Sequence, residues 1–109
     1  MNVNQKIEEA LSPLIKKIWP MYCPEDPKPD LYAVYNSELD EVGLFGDDQD
    51  EEWVHHMQVH LFTKKDYMEI RSQIRERLRA AGFTMTNIAT FYESDTEYYH
   101  LCFECWIEE

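Results

Sequence analysis

The sequence predicts an α+β fold, with two helices packed on one face of a mostly antiparallel four-stranded sheet in the order α-β-β-α-β-β. Two segments, residues 4–18 and 64–81, repeat apolar residues at helical spacing. Four further segments are rich in β-branched and aromatic residues, and turn residues separate them. The 109 residues suffice for one hydrophobic core, so we expect a single domain over residues 1–109.

The first predicted helix covers residues 4–18. Its apolar residues are three or four positions apart, which places them on one stripe: Val3, Ile7, Leu11, Leu14 and Ile18. Pro13 lies within this stripe and is incompatible with an undisturbed helix, because it has no N–H and clashes with the carbonyl four residues earlier. Either the helix kinks at Pro13, or it restarts there with Ser12 as the N-cap.

The connection over residues 20–30 contains four of the five prolines and is predicted to be irregular. We expect Trp19, Met21 and Tyr22 to hold this connection against the core. Residues 31–37 then form a predicted strand, since they are rich in aromatic and β-branched residues.

An acidic turn region is predicted for residues 40–52, which include Gly43 and Gly46. It lacks the ligand spacing of an EF-hand, so the simplest interpretation is a solvated turn with no bound ion. The alternative is electrostatic docking to a basic surface of a neighbouring molecule. The candidate residues for such docking are Asp47, Asp48, Asp50, Glu51 and Glu52.

The second half of the chain is predicted to form a strand over residues 53–63, a helix over 64–81 and two strands over 85–92 and 98–107. Thr63 is the predicted N-cap of the helix, and Gly82 the predicted left-handed residue after its end. The last strand alternates, so one set of side chains is predicted to face the core: Tyr99, Leu101, Phe103, Cys105 and Ile107. The opposite face is mixed, and we regard Tyr98, His100 and Trp106 as exposed candidates for subunit contact.

The charges are separated along the chain. Six of the ten Lys and Arg residues lie between residues 64 and 79, a segment of net charge +3 in a chain of net charge −12. At 100° per residue, one flank of the predicted helix contains Lys64, Arg71, Arg75 and Arg79. Pairing with Glu69 or Glu76 explains part of this cluster. Opposite patches on one molecule also favour head-to-tail contacts between copies, so we treat the flank as a candidate subunit interface.

The composition disfavours several classes of function. A net charge of −12 repels phosphates, so we expect no sequence-specific nucleic-acid partner. No apolar run approaches the length of a membrane span, and residues 1–9 lack the features of a leader peptide, so we expect no membrane partner and a cytoplasmic location. Three cysteines in no framework spacing argue against a disulfide-stapled fold.

We identify no catalytic residue, cofactor or metal site. His56 and His60 lie about 13 Å apart along one strand face at ~3.3 Å per residue, too far to share an ion. Cys102 and Cys105 are predicted to point to opposite faces of their strand, which removes a zinc or redox role for the pair. A cross-strand site that joins His56 or His60 to His100 stays open as a minor alternative.

Six short stretches together resemble the tail terminators of long-tailed phages and prophages, a family of tail completion proteins that are also called tail-to-head joining proteins. The resemblance covers about residues 7–108 and consists of residue-type patterns. They are PDLYAVY (29–35), FGDDQD (45–50), WVHHMQVHLFTKK (53–65), AGF (81–83) after the helix, FYE (91–93) and HLCFECWI (100–107).

The resemblance implies a structural virion protein, made in the host cytoplasm and then built into the virion tail. In this family a hexameric ring caps the tail tube, ends tail polymerisation and provides the surface on which the head docks. The implied partners are further copies of the chain, the tail tube protein and a head-completion or connector protein. An acidic lumen would allow DNA to slide through such a ring.

Two other classes remain as alternatives. A monomeric acidic adaptor or inhibitor could mimic nucleic acid and bind one host protein; reversing the arginine charges would leave mimicry intact but abolish ring assembly. A small metal-dependent enzyme would contain stoichiometric metal.

Overall fold

The computed structural model describes residues 1–43 and 52–109. Within these segments, no helix is long and apolar enough to cross a membrane. In chain order the elements are α1 (Val3–Leu11), β1 (Ile18–Pro20), β2 (Leu31–Val42), β3 (Trp53–Thr63), α2 (Met68–Ala80), β4 (Thr84–Glu93) and β5 (Tyr98–Glu108).

The α+β class is confirmed, but the sheet is mixed and has five strands, so the predicted four-stranded sheet is wrong. Its strand order is β1-β2-β3-β5-β4. The additional strand, β1, lies where the predicted helix was to end, and it pairs in parallel with Ala33–Tyr35 of β2. The other three pairings are antiparallel. The three residues of β1 are too few to show a periodicity, which explains why the sequence pattern missed it.

Helix α1 ends at Leu11 and neither kinks nor restarts at Pro13. Ser12 is its C-cap, and the backbone N–H of Ser12 donates to the Glu8 carbonyl at 2.9 Å. Pro13 follows directly, where it can no longer continue the helix. The helix begins with a capping box, in which Asn2 and Gln5 each accept a hydrogen bond from the other's backbone N–H.

Helix α2 begins at Met68, four residues later than predicted. Thr63 is the last residue of β3 and is buried, and its hydroxyl accepts the Lys65 N–H at 3.2 Å instead of capping the helix. Asp66 accepts the Met68 N–H at 3.1 Å. The strand therefore includes the threonine, and the first turn of the predicted helix is a short connection.

The end of α2 agrees with the prediction. Gly82 has a φ of +104°. Its N–H donates to the Arg79 carbonyl at 3.0 Å, and the Phe83 N–H donates to the Leu78 carbonyl at 3.0 Å. These two bonds form a Schellman motif, which satisfies the last carbonyls of the helix and directs the chain into β4.

The strands of the second half follow the predicted alternation closely. β3 has its predicted bounds, whereas β4 and β5 are slightly longer than predicted. β2 differs most, because it extends to Val42 and takes up residues assigned to the acidic turn. A register shift between Ser37 and Leu39 interrupts its pairing with β3.

The main core lies between the two helices and one face of the sheet. Alternate residues of β5 are buried there as predicted, with Leu101 and Phe103 at 0% exposure and Tyr99 half-buried at the margin. Burial of each large apolar side chain contributes about 1.5–3 kcal/mol. The members contributed by the helices and by β2 and β3 include Ile7, Leu11, Ile74, Leu78, Tyr35, Val59 and Leu61.

A second, smaller cluster covers part of the opposite face of the sheet, here called the helix-free face. It consists of Cys23, Tyr32, Val34 and Tyr98, with Trp19 and Phe62 packed against it. The prediction that Met21 and Tyr22 hold the proline-rich connection to the core is wrong, because their side chains are 70% and 71% exposed. Trp19 makes such a contact as predicted, packing against the second cluster, and Cys23 belongs to that cluster.

Candidate interaction surfaces

The arginine flank, defined as Arg71, Arg75 and Arg79, lies along α2. The side chains of Arg75 and Arg79 are 49% and 64% exposed, and Arg71 is half-buried. Glu76 lies 3.8 Å from Arg75 Nε and 3.5 Å from Arg79 Nη1. Exposed ion pairs of this kind contribute only about 0–1 kcal/mol. The single carboxylate of Glu76 cannot balance three guanidinium groups, so the flank stays positive.

The orientation of the flank follows from Arg77 on the other side of the apolar stripe. The Arg77 Nε donates to the backbone carbonyl of Ala10 and so ties α2 to α1. α2 also packs against β4. Since Arg77 faces α1, the arginine flank faces away from α1. It therefore lies on the side of the molecule where β4 forms the edge of the sheet.

Lys64 does not belong to the arginine flank, and this part of the prediction is wrong. Because α2 begins at Met68, Lys64 lies just after β3, outside the helix. Its backbone N–H donates to the Asp30 carbonyl at 3.1 Å, and its ammonium group lies 4.9 Å from the ring centroid of Tyr98. The position suits a cation–π contact on the helix-free face.

The acidic candidates Asp47, Asp48, Asp50 and Glu51 lie outside the described residues. Glu52 is described and is exposed, and its carbonyl accepts the Gly43 N–H at 2.7 Å. The pKa of Glu108 is raised, first by desolvation and then by a hydrogen bond to the Glu52 carboxyl group and by its charge. Two carboxyl groups thus meet where β3 and β5 lie side by side.

Three further acidic residues lie on the outer half of β2, which is the C-terminal half that extends beyond β1. They are here called the acidic edge: Glu38, Asp40 and Glu41. Asp40 lies 2.8 Å from the Nδ1 of His55, and Glu41 lies 2.7 Å from the Nε2 of His56. Glu38 accepts a hydrogen bond from Gln58 at 2.7 Å. Two of these carboxylates were expected in a turn, whereas β2 aligns all three along one strand.

The remaining candidates, Tyr98, His100 and Trp106, lie on the helix-free face. Tyr98 is only 6% exposed, so the expectation of an exposed ring is wrong. The proline-rich connection covers it, and its hydroxyl donates to the Pro29 carbonyl at 2.6 Å. His100 and Trp106 are half-buried.

His100 is the centre of a polar and aromatic cluster on this face. Its ring stacks on Phe62 with centroids 4.2 Å apart, and Phe91 lies 5.9 Å away on the edge strand. The Nε2 of His100 lies 2.9 Å from the Nδ1 of His60, and its Nδ1 lies 3.3 Å from Glu93. The pKa of His60 is lowered, first by burial and then by the proximity of His100. Protonation of His60 is therefore disfavoured by its burial and by the neighbouring imidazole.

The cross-strand histidine pair left open by the sequence does form. Within residues 1–43 and 52–109, however, no three His, Cys, Asp or Glu side chains are arranged to hold a metal ion. Cys102 and Cys105 lie on opposite faces, as predicted. Burial raises the pKa of Cys102 and raises that of Cys105 to about 12, so both thiols are poor nucleophiles at neutral pH.

A groove of about 590 Å³ lies between the helices, next to the contact of Arg77 with α1. Among the described residues, its polar lining consists of Lys6, Glu9, Glu76 and Arg77. The groove thus offers charged groups for an ionic contact.

The exposed apolar residues at the two edges of the sheet were not predicted from the sequence. Phe91 and Tyr92 are both 54% exposed on β4, and Leu39 is 53% exposed on the outer half of β2. The sequence does contain one indication of such an edge, the run of nine uncharged residues from Thr84 to Tyr92. Its significance depends on the strand order, because the same run in a central strand would be unremarkable.

Comparison with known proteins gives a fold and no family. No family model matches the sequence, and no curated protein matches it. A chain of the solved structure described as the virion of native gene transfer agent (GTA) particle is similar, with a TM-score of 0.60. The match covers 97% of this chain and 90% of that chain at 10% sequence identity. At this identity the similarity shows a shared fold.

Proposed function

We propose that this chain is a structural protein of a phage-like virion, in which it caps the tail tube as an oligomeric ring. Such a ring would end tail polymerisation and provide the surface on which the head docks. The observation that supports this most strongly is the fold shared with a chain of a virion particle over nearly the whole length of both chains. Since a fold alone does not determine function, the separated charges are the second support.

The separated charges favour contact between copies of the chain. An exposed arginine flank and an acidic edge on one molecule suit a head-to-tail arrangement, which closes into a ring if the rotation permits. We propose six copies, by the resemblance to tail terminators. One end of the ring would contact the tail tube protein and the other a head-completion or connector protein. The chain would act first in the host cytoplasm and then in the virion tail.

The role proposed here is mechanical, without catalysis or a cofactor. The net charge of −12 suits a lumen through which DNA passes, because an acidic wall repels phosphates and does not retain them. In this role the chain would act through protein–protein contacts alone.

A monomeric acidic adaptor or inhibitor is the alternative function. A nucleic-acid mimic would need an acidic face without interruption, and three arginines along α2 do not suit it. The chain is therefore assigned to this class only if it remains monomeric and binds a single host protein.

The test is deletion of the coding gene from the phage or prophage that contains it, followed by electron microscopy of the lysate. We expect filled heads without tails and tail tubes of irregular length, both corrected when the wild-type gene is supplied in trans. Particles of normal length with heads attached would refute the tail-capping role. Normal particles in reduced number would favour the adaptor instead.

A further inference from the structure

Both edges of the sheet are open within the described part of the chain. β4 is an outer strand along its whole length. At the other edge, the three residues of β1 pair with Ala33–Tyr35. Residues 36–42 of β2 extend beyond β1 and form a second outer segment. Outer strands present unpaired N–H and C=O groups, which can template the addition of another strand.

The β4 edge has few of the features that prevent such pairing. From Thr84 to Tyr92 it contains no charged residue and no proline. A register shift between Met85 and Asn87 is the one protective irregularity in its pairing with β5. Exposed strands that must stay unpaired are usually shorter, or are interrupted by lysine or proline. The composition of β4 is typical of a strand that has a partner.

The exposed apolar side chains are concentrated at these two edges. Six of the nine large apolar side chains that are exposed in the described segments lie there. Phe91 and Tyr92 lie on β4. At the opposite edge, Leu39 and Val42 lie on β2, whereas Met21 and Tyr22 directly follow β1. Exposed apolar side chains on both edges mark contact surfaces.

The charges beside the two edges are opposite. The arginine flank faces the β4 side of the molecule, because Arg77 holds the other flank of α2 against α1. The acidic edge follows residues 38–41 of β2 at the other end of the sheet. A second copy placed edge to edge would therefore meet complementary charge, whereas contact between two like edges would meet repulsion.

The strand directions also suit this contact. From β2 through β3 and β5 to β4, each strand runs opposite to its neighbour. A copy that keeps the same orientation would place its β2 antiparallel to β4, continuing the alternation. The residue pairs can be followed from β4 through β5 and β3 to β2. Along these pairs, Thr84 lies level with Leu39, and Asn87 lies level with Asn36. The uncovered half of β2 is thus at the height of the first half of β4.

We infer that β4 of one copy pairs with residues 36–42 of β2 in the next copy, so that the sheet continues from subunit to subunit. This inference rests on the proposed ring and names the surface that forms it. The backbone ladder supplies much of the affinity, as in other cases of strand addition. The arginine flank and the acidic edge select the partner and prevent like edges from pairing.

Two charge-reversed chains test the inference. One has Arg75→Glu and Arg79→Glu, and the other has Glu38→Lys and Asp40→Lys. We expect each chain alone to self-associate at least about 100-fold more weakly than the wild type, because like charges then face each other. An equimolar mixture should assemble again, since each reversed edge meets the complementary edge of the other chain. Light scattering over a concentration series measures both effects.

Matched controls reverse the same number of charges at positions outside the arginine flank and the acidic edge. Lys16→Glu with Lys65→Glu changes two exposed basic residues, and Glu9→Lys with Asp95→Lys changes two exposed acidic residues. Both control chains should assemble like the wild type. If the controls lose assembly equally, or if the mixture of reversed chains stays monomeric, the charge complementarity of the edges is refuted.

Hydrogen–deuterium exchange of the wild type tests the strand pairing itself. Peptides that cover the first half of β4 and residues 36–42 of β2 should gain protection in the assembled state relative to the dilute monomer. Protection gained elsewhere and not at these edges would overturn the inference. A chain that stays monomeric at its highest soluble concentration would also overturn it. Capping of tails in the gene-deletion test would still support the proposed function in either case.

Discussion

The stability of the fold should decrease below about pH 6.5 because of His60. This imidazole is half-buried on the helix-free face, and burial is the largest cause of its lowered pKa. His100 lies 2.9 Å away and lowers the pKa further, whereas Glu104 opposes the shift. The folded chain therefore resists protonation of His60 more than the unfolded chain does.

The sign and size of the effect follow from proton linkage. As the pH falls through about 6.5, the unfolded chain binds a proton at residue 60 more readily than the folded chain does, so the free energy of unfolding falls as the pH falls. If His60 stays neutral in the folded state at pH 5.5, the loss is at most about 1.4 kcal/mol. Solvent screening at a half-buried site reduces this to about 0.5–1 kcal/mol.

The assay is urea unfolding of the dilute monomer at pH 7.5, 6.5 and 5.5, with wild-type and His60→Gln chains. The variant should lose about 0.5–1 kcal/mol less than the wild type between pH 7.5 and 5.5. His56→Gln is the matched control, since His56 lies outside this cluster. Its Nε2 atom is 2.7 Å from the Glu41 carboxylate. The same pH dependence of stability in the wild-type and His60→Gln chains would refute this role of His60.

Three further predictions concern local structure. Gly82→Ala should destabilise the chain by about 1 kcal/mol in chemical denaturation, because a φ of +104° strains any residue with a Cβ; an unchanged midpoint would contradict this. Phe103→Leu should lower the free energy of unfolding by about 1 kcal/mol and Phe103→Ala by about 3–5 kcal/mol, since the ring is fully buried; near-wild-type stability of both would contradict the core assignment. Alkylation followed by mass spectrometry should modify Cys102 before Cys105, whose pKa of about 12 and burial leave it protected until the chain unfolds; equal rates would count against the strand faces.

The elements with strong periodicity could be predicted from the sequence. The alternation in β5 identified the face that contains Leu101 and Phe103, and the glycine at residue 82 identified the end of α2. In each case the signal is local, because side-chain alternation and a left-handed residue depend only on the adjacent backbone.

The start of α2 was mispredicted where two local signals competed. Thr63 suits an N-cap, but it also continues the alternation of β3, and its burial at 4% exposure shows that strand pairing prevails. β1 was missed for a different reason. Its three residues pair with a segment fifteen positions later in the chain, as Ile18 does with Ala33, and no local periodicity reports such a contact.

The candidate interaction surfaces show the same division. The arginine flank was recognised because helical spacing aligns Arg71, Arg75 and Arg79, whereas Lys64 was assigned to it only through the mispredicted helix start. The acidic edge and the β4 edge could not be recognised, since they depend on which strands lie outermost in the sheet. Strand order results from long-range pairing, and the sequence pattern alone does not determine it.

The central claim, that copies of this chain assemble into a closed ring, is tested most directly by size exclusion with light scattering. The measurement covers a wide concentration range and several salt concentrations. We expect a closed oligomer of about six times the monomer mass at low salt, which dissociates as salt screens the paired edges. A species of monomer mass at every concentration and salt would contradict self-assembly and would favour the monomeric adaptor.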